Sequence, residues 1–61
     1  MSVYLGYGTI SYLKNRILVS LIGYITVLNE YVEVDTEDGK KMIDKKRVVE
    51  MHIENSDGGI Q

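Results

Sequence analysis

Five of the seven basic residues, Lys40, Lys41, Lys45, Lys46 and Arg47, crowd into one stretch of a chain whose formal net charge is −2. Asn29, Glu30 and Tyr31 lie upstream of them: an amide and a carboxylate for hydrogen bonding and an aromatic ring. A basic cluster of this kind is either a solvated turn or a local anchor for an anionic ligand. Acidic residues flank the cluster at Glu30, Glu33, Asp35, Glu37 and Asp38, and again at Glu50, Glu54 and Asp57. The expectation is a local basic patch on an acidic body, not a protein that coats nucleic acid by bulk charge.

Other chemistries find little support. No nucleophile with a base, metal cluster or phosphate-cradling glycine loop can be assembled, so no enzyme, metal or cofactor is expected. Cysteine is absent, and the single His52 lacks partners at ligand spacing. The longest apolar run, Ile17 to Leu28, is broken by Ser20, Gly23 and Thr26 and falls short of the roughly 20 residues of a spanning helix. No membrane segment or secretory leader is read, and the expected location is cytoplasmic.

The elements that must position these residues read as strands. Val3, Leu5, Thr9, Ile10 and Tyr12 with Gly6 and Gly8 predict a first strand that bends or bulges, and Lys14, Asn15 and Arg16 a polar break. Ile17, Val19, Leu21, Gly23, Ile25 and Val27 recur at period two on one face of a second strand, bent at Gly23. A helical stripe through Ile10, Leu13, Ile17, Leu21, Ile25 and Leu28 is the rival, opposed by the β-branched residues, the central glycine and the missing cap.

The parity of apolar positions changes at Asn29 and Glu30, which predicts a corner before a third strand, Tyr31 to Thr36. Asp38 and Gly39 are expected at the centre of a type I′ hairpin turn. Lys40 to Asp44 returns, Lys45 and Lys46 link, and Arg47 to Ile53 forms the last strand, with Val49, Met51 and Ile53 on one face. The fold class is all-β: one five-stranded, SH3-like barrel over residues 1–54, followed by a disordered tail, 55–61. A domain this small has a thin core, of about 3 to 5 kcal/mol, and its open edge strands invite self-association.

From Gly23 to Met51 the chain resembles the Sm-like family, and within it the bacterial Hfq RNA chaperones. The resemblance rests on Gly23 followed six residues on by Asn29, then Glu30, Tyr31 and Val32, and on Met42, Ile43, Asp44, Lys45, Lys46 and Val48 at matching separation. Asp44 stands where the family has tyrosine, Lys46 where it has histidine and Arg16 where it has glycine, and the family's N-terminal helix is missing. The resemblance implies a homo-oligomeric ring of about five to seven copies. It also implies a pore at which Asn29, Glu30, Tyr31, Lys45 and Lys46 bind single-stranded, U-rich RNA. An SH3-like protein-interaction module without nucleic acid, or a ring that takes a small nucleotide, are the other readings of the same residues.

Overall fold

The computed structural model describes residues 2–54. It contains β1 (Val3–Lys14), β2 (Ile17–Val27), β3 (Tyr31–Thr36), β4 (Gly39–Asp44), a 3-10 turn (Lys45–Arg47) and β5 (Val48–Ile53). All pairings are antiparallel, and the strands form one sheet in the order β4-β3-β2-β1-β5. The chain is therefore all-β, with β4 and β5 at the two ends of the sheet order. The expected tail, 55–61, lies outside the described residues.

Period two wins over the helical stripe because the stripe's members part company. Ile10 and Ile25 are fully buried while Leu13 and Ile17 are exposed. On β2 the inward set is the odd-numbered one, with Gly23 and Ile25 buried and Leu18, Ser20, Ile22 and Tyr24 in water.

The sheet is staggered rather than stacked square. β5 pairs with β1 over Gly8 to Tyr12, near the β1–β2 tip, whereas β3 pairs with β2 over Tyr24 to Val27, near its base. Ile10 from the first half and Ile25, Val32, Val34 and Ile43 from the second nevertheless form one buried cluster, with Tyr12, Leu21, Val27, Val48, Met51 and Ile53 packed around it. One flat sheet cannot bring these together, so the two halves curl toward each other.

The curl passes through Gly8 and Gly23, which are paired across β1 and β2. A Cβ on Gly23 would collide with the carbonyl oxygen of Asp35, and one on Gly8 with that of His52. Both flanking backbones thus approach where no side chain stands, as the expected bend at Gly23 requires. A second irregularity, in β1 between Tyr4 and Gly6, leaves Leu5 without a partner.

The two-residue hairpin turns, β1–β2 and β3–β4, both depart from simple expectation. Asn15 and Arg16 take φ of 52° and 69° between the paired Lys14 and Ile17, so the loop has the two positive φ values of a type I′ turn without a glycine. Asp38 and Gly39 do not form such a turn. Thr36 pairs with Gly39, the two-residue loop is Glu37–Asp38, and of these three residues only Gly39 has positive φ, at 119°. The Thr36 hydroxyl holds this turn, accepting from the Asp38 N–H at 3.1 Å and donating to the Gly39 carbonyl at 2.8 Å. Aspartate and glycine were each suited to the turn, but the pair is shifted one residue along it.

The last strand also corrects its expected face. A register shift between Ser11 and Tyr12 passes over Val49, which is exposed, and turns Val48 toward the core beside Met51 and Ile53. The strand begins at Val48 rather than Arg47, because Lys45–Arg47 coils into the 3-10 turn.

Candidate functional site

Two loops meet at the end of the sheet where β2 passes into β3 and β4 into β5. The first is fastened by the Leu28 N–H, which donates to the Tyr31 carbonyl at 2.8 Å. The second is joined to it by the Lys45 N–H, which donates to the Glu30 carbonyl at 3.2 Å. Tyr31 and Asp44 face each other across β3 and β4. The register of the β3–β4 hairpin therefore decides which residues of the second loop stand beside the first.

The result is a groove of about 330 Å³ lined by Asn29, Glu30, Tyr31, Asp44, Lys45 and Lys46. All five residues expected to act together, Asn29, Glu30, Tyr31, Lys45 and Lys46, line it. Each of them is exposed, Tyr31 at 44%. Among the described residues the one ion pair within 4 Å is Lys40–Glu33, at 3.7 Å. The ammonium groups of Lys45 and Lys46 are thus uncommitted among those residues.

Asp44 supplies what residue types alone did not assign. Its backbone is extended, with φ −63° and ψ 131°, and its carboxylate accepts the Lys46 N–H at 2.9 Å. This caps the 3-10 turn, a use for which aspartate ahead of a short helical turn is well suited. The legible signal was an aspartate directly before three basic residues. Its charge remains local: Glu30 and Asp44 balance Lys45 and Lys46 in the groove, so bulk attraction for anions is weak there and Arg47 supplies the nearby excess.

The basic cluster is divided by its own strand. Lys40 and Lys41 sit at the start of β4 and Lys45 and Lys46 beyond its end, a separation on the order of 13 to 20 Å at about 3.3 Å per residue. Lys40 turns to Glu33, and Lys41 lines a different groove beside Asp35, Glu37 and Asp38. The expected patch thus contracts to Lys45, Lys46 and Arg47.

The remaining singled-out residues lie elsewhere. His52 is exposed on β5 opposite Thr9. Tyr7 and Tyr24 pack edge to face, with ring centroids 5.1 Å apart and planes at 65°, on the outer side of β1 and β2. Among the described residues no group of three or more His, Cys, Asp or Glu side chains is arranged to hold a metal ion. No helix is long and apolar enough to cross a membrane, among the described residues. No family model, curated protein or solved structure matches this chain.

Proposed function

We propose that this chain is a small SH3-like barrel of the Sm-like kind that assembles as a homo-oligomeric ring and binds single-stranded, U-rich RNA. The observation that carries the reading is the convergence of Asn29, Glu30 and Tyr31 with Lys45 and Lys46 in one groove. The end positions of β4 and β5 in the sheet order and the close packing at Gly23 agree with it. Arg16 agrees too, since its positive φ is the conformation that glycine accepts most cheaply.

In this reading each subunit takes one nucleotide. Tyr31 offers a face for the base, a contact of about 1 to 3 kcal/mol. Asn29 and Glu30 meet base edges, and Lys45 and Lys46 meet phosphate. Because the groove is close to neutral, stacking and hydrogen bonds carry more of the affinity than counterion release does, and the salt dependence is shallow.

Native mass spectrometry with and without oligo-U tests copy number and ligand together. The expected result is a ring that takes up oligo-U. Tyr31→Leu should keep the ring and lose about tenfold or more in RNA affinity, on the stacking scale above. Lys45→Ala with Lys46→Ala should weaken binding and flatten its salt slope further. An assembly that binds no oligo-U would transfer the site to the protein-interaction reading.

A further inference from the structure

The Ile17–Gly23 half of β2 is bound on one side only. β1 pairs along its whole length, but β3 reaches β2 only from Tyr24 to Val27. No other described strand pairs with the open side, so every second residue there presents an unpaired N–H and C=O.

This edge lacks the usual guards. Natural edge strands are blunted by lysine, proline or a bulge. β4 carries Lys40 and Lys41, and β1 is bulged near Gly6, but Ile17–Gly23 reads ILVSLIG without a charge. Ile17, Leu18 and Ile22 are 65%, 58% and 54% exposed. Where β3 ends, a groove of about 550 Å³ opens beside Ile22, with Glu37 and Asp38 on its rim.

We infer that this edge pairs antiparallel with the same edge of a second copy across a two-fold axis. Charge placement selects that occupant and that direction. The open strand is flanked by Lys14 and Arg16 at the hairpin tip and by the Glu37–Asp38 turn at the other end. With the two-fold axis near Val19, each basic tip comes against the other copy's acidic turn, and symmetry makes the contact twice. Parallel pairing would set tip against tip and turn against turn, with like charges together.

The outward residues Leu18 and Ile22 of both copies then share one apolar strip, which removes their surface from water. The interface lies at the opposite end of β2 from Asn29. It therefore leaves the groove at Asn29, Tyr31 and Lys45 open in each copy and does not depend on what that groove binds, while the groove beside Ile22 falls within the interface. Where the chain also forms rings through β4 and β5, this contact joins two of them.

Sedimentation and native mass spectrometry at micromolar concentration test the pairing. The parent is expected at an even copy number. Lys14→Glu with Arg16→Glu, and separately Glu37→Lys with Asp38→Lys, should each halve the mass. Mixing the two variants one to one should restore it, because each reversed tip then faces a reversed turn. Leu18→Lys with Ile22→Lys changes residues that are exposed in the single chain; it should halve the mass with an unchanged circular dichroism spectrum. Alternate amides in Ile17–Ile22 should also lose their protection from hydrogen exchange in these variants. A monomeric or odd-numbered parent, an unchanged mass in the variants, or a mixture that stays at half mass overturns the inference. Oligo-U uptake per chain should be the same throughout, so failure at the candidate groove reads separately from failure at this edge.

Discussion

From Tyr24 to Val27, β2 has β1 on one side and β3 on the other, and Ile25 there has no exposed surface. From Ile17 to Ile22 the same strand has β1 alone, and Ile17, Leu18 and Ile22 keep more than half of their surface in water. The side chains of the two halves are alike in type. Leu18 and Ile22 share the outward face with Tyr24, but Ile17 belongs to the inward set with Ile25 and is still exposed. What separates that pair is the number of neighbours that the fold supplies, so apolar character proposes burial and topology grants it. Gly23 stands at the boundary, where β3 closes against the strand.

Removing the buried member tests the comparison most severely. Ile25→Ala should cost roughly 3 to 4 kcal/mol, against a core that supplies only about 3 to 5 kcal/mol. Urea titration should find the variant largely unfolded; a loss below about 1 kcal/mol would mean that Ile25 is not the centre of the core. Gly23→Ala should come next, at about 2 to 3 kcal/mol, since its methyl group must push the Asp35 backbone away. The same titration giving no loss would remove the close approach that separates the halves. Ile17→Ala, on the same face as Ile25 but in the half with one neighbour, should change the stability of the dispersed chain by no more than about 0.5 kcal/mol. A loss equal to that of Ile25→Ala would show that the two halves are buried alike.

Much of the architecture was legible because strand periodicity is a local property. The period-two set on β2, the polar break at Lys14 to Arg16, the crowding at Gly23 and the corner at Asn29 all follow from side-chain type and parity. The turn at Glu37–Asp38 was not legible in form. Aspartate and glycine serve equally as the central pair of a type I′ turn or displaced by one residue, and both registers leave Ile43 on the inner face. The choice falls to Thr36, whose hydroxyl satisfies both ends of the observed turn. That choice sets Tyr31 opposite Asp44 and so assembles the candidate groove. Likewise the inward turn of Val48 comes from a register shift against Ser11 and Tyr12 on a distant strand.

By itself the sequence determined that the chain forms strands, where apolar residues recur at period two in β2 and change parity before β3, and which residue types gather near the two loops. Tertiary structure alone decided which part of the long β2 strand gains a second neighbour, that the five basic residues divide between two ends of β4, and that Asp44 caps a turn. The physical reason is range. Alternation and turn preference act between residues a few positions apart, whereas strand register and edge exposure depend on pairings made across the whole chain.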